Sequence, residues 1–105
     1  MKKSKSAKYA VIEIDDVVGI DWIRALRDVA TLRVQRANIY GNGWLHEPIQ
    51  YDLWTIYGKA TRLKNMLEHG NNNYERVEDT CKDIVNYCLF ALAKLNKSKS
   101  RRKKQ

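Results

Sequence analysis

The stretch Glu78–Tyr87 places two carboxylates, Asp79 and Asp83, four residues apart. On a helix that spacing sets both on one side, one turn apart, where like charges cost about a few tenths of a kcal/mol. Asn86 extends the row three residues further on. Acid, acid and amide in one row offer oxygen donors to a hard divalent cation. Mg²⁺ is the expected ion, because it retains waters and takes substrate phosphate oxygens as its remaining ligands. Such a grip belongs to chemistry on a phosphorylated small molecule. The same residues also fit a solvated acidic face near a helix start, where negative charge suits the macrodipole. Both readings are open at this level.

Lys59 and Arg62, three residues apart, are the cations placed to answer those acids. They either neutralise Asp79 and Asp83 directly or hold a phosphate shared with the metal. Trp44 and Tyr40 flank a Gly-Asn-Gly turn, where an aromatic ring can cover a nucleobase or plug the end of a helical bundle. His46 beside Glu47 reads as polar surface. The sequence holds no Ser/His/Asp set, glycine-rich phosphate loop or HExxH motif. Cys81 and Cys88, two turns apart, cannot bridge within one helix and are expected as small core residues.

Three helices must position these groups. The first starts after Gly19, with Asp21 as N-cap, and ends near Asn38; Trp22, Leu26, Val29, Ala30 and Ala37 form its apolar face. Arg24 is placed to pair with Asp28. Tyr40–Trp44 breaks the chain. Pro48 opens the second helix, whose stripe is Ile49, Leu53, Ile56, Ala60, Leu63 and Leu67, and Gly70 ends it. The third begins at a capping-box spacing, Asn72 to Glu75. Its apolar face is Val77, Cys81, Ile84, Cys88, Leu92 and Leu95, widened by Val85, Leu89 and Phe90 to predict burial on most sides. On it Glu78 pairs with Lys82. Tyr9–Ile14 is short and β-branched, which fits a strand or extended arm.

With 105 residues the chain is one domain, and small helical chains often complete their core by pairing with a copy. The net charge of +8 is unevenly spread. Residues 1–8 carry four Lys and residues 94–105 seven Lys or Arg, with no acid in either, so residues 9–93 are mildly acidic at −3. Basic ends point to arms that meet nucleic acid or another polyanion, or to solubilising tails. No apolar run approaches the roughly 20 residues that span a bilayer, and no signal-peptide pattern follows the basic start. The expected class is all-α, a dimer of three-helix chains in the cytoplasm. It divides into a basic arm over 1–19, a helical domain over 20–95 and a disordered basic tail over 96–105.

Three blocks, Tyr40–Trp44 (YGxxW), Lys59–Asn65 (KxxRLxN) and Glu78–Tyr87 (EDTxxDxxNY), together resemble a family of phage and bacteria, nucleotide modification associated domain 1. The resemblance runs from about Thr31 to Leu95, and Glu78–Tyr87 is its most specific part. More distantly the layout is similar to the MazG-like all-α nucleoside triphosphate pyrophosphohydrolases, which hold Mg²⁺ with an ExxE helix and an ExxD helix. Here the earlier helix has Lys59 and Arg62 where an acidic pair belongs, and the later one has Asp79 and Asp83 at a different spacing. The resemblance implies an association with nucleotides or modified phage DNA. The resulting expectation is a nucleotide held by Lys59, Arg62, Trp44 and Asn86, with Mg²⁺ on Asp79 and Asp83. Whether turnover follows is open. The alternative is a non-catalytic phage accessory factor that binds nucleic acid or protein through its basic ends.

Overall fold

A computed structural model gives the backbone of residues 19–70 and 74–103, with side chains described as far as Lys99. Three helices follow in order: α1 (Ile20–Tyr40), α2 (Ile49–Glu68) and α3 (Tyr74–Lys103), with a 3-10 turn at Gly43–His46 between α1 and α2. The expected all-α class of three main helices is what the described residues form. The expected arm at Tyr9–Ile14 and the capping box at Asn72 lie outside them.

Glycine fixes the break that shapes the site. Gly41 has φ +70°, and its N–H closes α1 on the Ala37 carbonyl at 2.9 Å. A side chain at that φ is strained, so the chain turns sharply where glycine stands. Pro48 caps α2 in an extended conformation and Ile49 begins the helix. α2 then runs antiparallel to α3, because its start pairs with the end of α3 (Asp52 with Lys94) and its middle with the earlier part (Lys59 with Asp83). α1 lies against α3 with less contact.

The rows that pack overlap only in part with the apolar stripes read in the sequence: Ile49, Ile56 and Leu63 on α2 and Val77, Ile84 and Cys88 on α3 are half-buried. Beside them on α3, Thr80, Asp83, Asn86, Tyr87, Phe90, Ala91 and Lys94 are buried or half-buried. On α2, Asp52 and Met66 are the buried residues. Leu53, Leu67, Val85, Leu92 and Leu95, all expected in the core, are exposed. Cys81, also expected inside, is exposed and Cys88 is half-buried; both are free thiols. The reason is that ion pairs and aromatic contacts occupy the inter-helix rows, which rotates the aliphatic stripes outward. Only Val29, Met66, Phe90 and Ala91 are buried apolar residues among those described.

Three smaller expectations are also settled. Arg24 pairs with Asp21 at 3.6 Å, not with Asp28, since the i,i+3 carboxylate lies nearer its guanidinium. Glu78 and Lys82 pair at 3.1 Å as expected, and this hydrogen bond to Glu78 raises the Lys82 pKa. Residues 96–103, expected as a disordered tail, continue α3 as helix. They contain no Gly or Pro, and Lys and Arg are good helix formers that suit the negative end of the dipole.

Candidate functional site

The last turns of α1, the 3-10 turn, the start of α2 and the middle of α3 surround a cleft of about 410 Å³. α1 contributes Arg33, Arg36 and Tyr40, and the turn contributes Gly41, Gly43 and Trp44. Glu47 and Tyr51 come from the entry to α2, and Asn86, Tyr87 and Phe90 from α3. Spacing explains why α1 delivers both arginines: Arg33, Arg36 and Tyr40 recur at three and four residues and so share a face.

An aromatic stack braces this cleft. The Trp44 and Phe90 rings lie 4.3 Å apart and 14° from parallel. Tyr87 meets Phe90 edge-on at 5.5 Å, and Tyr51 meets Tyr87 edge-on at 6.4 Å. The Arg33 guanidinium lies 5.4 Å from the Trp44 centroid and 5.2 Å from that of Phe90, and it donates to Asn42 Oδ1 at 2.8 Å. Ring contacts of this kind hold a planar cation in place. The Trp44 Nε1–H is buried without an acceptor among the described residues. Tyr40 and Tyr51 remain exposed beside the cleft.

Asp83 does not line this cleft but holds one of the arginines that does. Arg36 donates to its Oδ1 at 2.8 Å and Lys59 to its Oδ2 at 3.2 Å. Burial works to raise the Asp83 pKa, but the hydrogen bonds and charges of Arg36 and Lys59 outweigh it, so the carboxyl is held below the usual range. Burial, and then the neighbouring Tyr51, push the Tyr87 hydroxyl above its ordinary value. Tyr87 therefore stays neutral at pH 7 and can donate a hydrogen bond. Asn86 is only 5% exposed, yet its amide has no hydrogen bond among the described residues.

The structure divides the residues nominated from sequence. Trp44 and Asn86 line the α1–α3 cleft, though Phe90 covers one face of Trp44. Lys59 is spent on Asp83. Arg62 faces a second, polar cleft between α2 and α3, together with Met66, Arg76, Asp79, Thr80 and Asp83. Asp79 and Asp83 thus do open onto one surface with a cation, as their spacing predicts. Both Asp83 oxygens are already engaged, however, and no group of three His, Cys, Asp or Glu among the described residues could hold a metal ion. In this arrangement the donor set does not fit Mg²⁺, because Asp83 would first have to release Arg36 and Lys59.

Sequence reading places Arg33 in the periodic row of the first helix but, like Arg36, Tyr51 and Tyr87, does not nominate it for the site. The available signal was the Arg33/Arg36/Tyr40 spacing, which ran past the Asn38 boundary assigned to the helix and so was not read as one face.

A third polar feature sits below the stack. Asp52 is 0% exposed, and Lys94 Nζ donates to its Oδ2 at 2.6 Å while lying 5.9 Å from the Trp44 centroid. The buried pair ties the start of α2 to α3 directly beside the turn that carries Trp44.

The model of the family described as nucleotide modification associated domain 1 matches residues 36–95, more than half of the chain. No curated protein and no solved structure matches it.

Proposed function

We propose, because the chain belongs to the nucleotide modification associated domain 1 family, that it binds a nucleotide in the cleft between α1 and α3. One observation carries the reading: Arg33 and Arg36 converge with Tyr40, Tyr51 and Tyr87 around a single cavity of about 410 Å³. That volume lies in the range of small-molecule sites, roughly 300–1,000 Å³. Guanidinium forks suit phosphate oxygens, and exposed tyrosine rings suit a base. Asn86, buried with open hydrogen-bonding capacity, and Glu47 supply the polar contacts that tell one base edge from another. The second polar cleft has cations and carboxylates but no aromatic ring on which a base could stack.

In this reading Asp83 is a clamp. It holds Arg36 at the cleft and keeps Lys59 behind it, so the positive charge facing the ligand is preorganised. The part of Asp83 is thus electrostatic positioning, and binding requires no metal. Mg²⁺-dependent hydrolysis, as in MazG-like enzymes, would be a finer version that needs Asp79 and Asp83 freed from their present surroundings.

Equilibrium titration with a panel of nucleoside mono-, di- and triphosphates, with and without Mg²⁺, tests the proposal. Wild type should bind at least one member without Mg²⁺. Tyr40→Ala should weaken that binding by about 1–3 kcal/mol if its ring stacks on the base, and Asn86→Ala should alter the ranking of bases. Absence of any binding, or binding untouched by both changes, overturns the proposal. Release of phosphate or pyrophosphate only with Mg²⁺, abolished in Asp83→Asn, would favour the hydrolytic version. The basic end of α3 supports a second ligand class, nucleic acid; deleting residues 97–105 should then remove a binding activity that falls steeply with salt.

A further inference from the structure

Trp54 and Tyr57, three residues apart on α2, are 70% and 66% exposed. Their rings meet edge-on at 5.9 Å and, with Gln50 and Leu53, line an open groove of about 540 Å³. Two large rings left this far in water add little to the core, and contiguous exposed apolar surface marks a binding site. Gly58 follows directly. Glycine inside a helix is destabilising relative to alanine, and here the fold gives nothing in return: a Cβ at Gly58 would meet no atom within 4 Å. Without an internal packing partner, the bare backbone there is open to close approach by a ligand. Gly58, Thr61 and Asn65 line a further groove one turn on.

Charge decides what can approach. The acids of α2 are Asp52, buried on Lys94, and Glu68, paired with Lys64. α3 has no acid after Asp83. The Asp52–Lys94 pair puts the start of α2 beside the last turns of α3. Only Ile49–Tyr51 of α2 precede Asp52, whereas α3 continues from Leu95 to Lys103. The end of α3 therefore runs past the start of α2, with Lys97 and Lys99 exposed. Residues 97–104 hold six Lys or Arg and no acid. Trp54 stands two residues after Asp52, so the aromatic groove and the basic helix end share one end of the α2–α3 pair.

We infer that this end of the pair binds single-stranded nucleic acid. Bases stack on Trp54 and Tyr57, the strand closes on the backbone at Gly58, and phosphates meet the basic end of α3. The inference rests on the reading that this basic end binds nucleic acid, and adds to it the strand type and the residues that take the bases. A duplex could use the cations but not the rings, because its bases are already stacked on one another. The groove shares no lining residue with the nucleotide cleft.

Fluorescence anisotropy of labelled oligo-dT and oligo-U, each of about 12 nucleotides, tests this on the full chain over a salt series. At least one should bind more tightly than a duplex of equal length. Trp54→Ala should weaken binding about tenfold, roughly the loss of one stacked base, with the salt dependence unchanged, and Trp54→Phe should recover much of that loss. Gly58→Ala should weaken binding while raising the melting temperature, since alanine is the better helix former; a merely structural glycine would not move the two in opposite directions. Deleting residues 97–105 should flatten the salt dependence. A deletion without effect refutes the basic-end reading and this inference with it. Salt-dependent binding that is the same in wild type, Trp54→Ala and Gly58→Ala overturns this inference alone. Equal affinity for the duplex, displacement by inorganic polyphosphate of matched charge, or displacement by a mononucleotide also overturns it.

Discussion

Replacing Lys94 by Met removes the one cation bonded to a carboxylate that has no exposure. Asp52 would keep its charge in a site where water does not reach it, with both oxygens then unpaired, since Oδ1 has no partner even in wild type. Breaking one side of a buried pair costs about 3–5 kcal/mol. Two features favour the lower end. Lys94 is 12% exposed, so water can approach from its side. Asp52 also stands in the first turn of α2, where the helix dipole returns up to roughly 1 kcal/mol to a carboxylate. The expected loss is about 3 kcal/mol, which lowers the melting temperature by on the order of 15 °C. Thermal and urea unfolding followed by circular dichroism measure it. The double change Asp52→Leu with Lys94→Met should recover most of the loss, since a well-packed apolar pair replaces a buried ion pair at little cost. A loss below about 1 kcal/mol would show that the pair is hydrated and that this reasoning fails.

Asp83→Asn should weaken Mg²⁺-independent nucleotide binding, because Arg36 loses the carboxylate that holds it at the cleft, and should lower stability at pH 7, as titration and urea unfolding would report. Its pH dependence has a definite sign. The Asp83 pKa is depressed in the folded state, so its contribution is full above the unfolded value of about 4 and is lost as pH falls through the folded value. The gap between wild type and Asp83→Asn should therefore close in acid; a constant gap would contradict the clamp. Gly41→Ala should cost about 1–3 kcal/mol by forcing a side chain into positive φ, with loss of the cleft as the turn shifts. A melting temperature equal to wild type would refute that.

Much of the fold was legible because its punctuation is strong. Pro48, Gly70 and the Tyr40–Trp44 break mark helix ends by mechanism, and the boundaries fell within two or three residues of those marks. The packing faces were legible only in part: Ile56, Leu63 and Ile84 are half-buried and Phe90 is buried, as their periodicity predicts. Periodicity in α2 and α3 picks out Leu53, Leu67, Leu92 and Leu95, whereas the inter-helix rows are filled by Asp52 with Lys94, Asp83 with Arg36 and Lys59, and an aromatic stack. Such rows read as polar surface until tertiary contacts pair them. The same effect hid the site. Asp83 attracted attention as one of two close carboxylates, which was a sound signal of something positive nearby. That partner proved to be Arg36, 47 residues away in the chain, which no local spacing could reveal.

The most direct measurement of the central proposal is a residue-resolved amide spectrum recorded during titration with the nucleotide that binds best. Shifts concentrated at residues 33–47 and 83–90, saturating with one ligand per cleft and present without Mg²⁺, are the predicted result. Shifts confined to Arg62, Arg76 and Asp79, or seen only with Mg²⁺, would contradict it and move the site to the other side of α3.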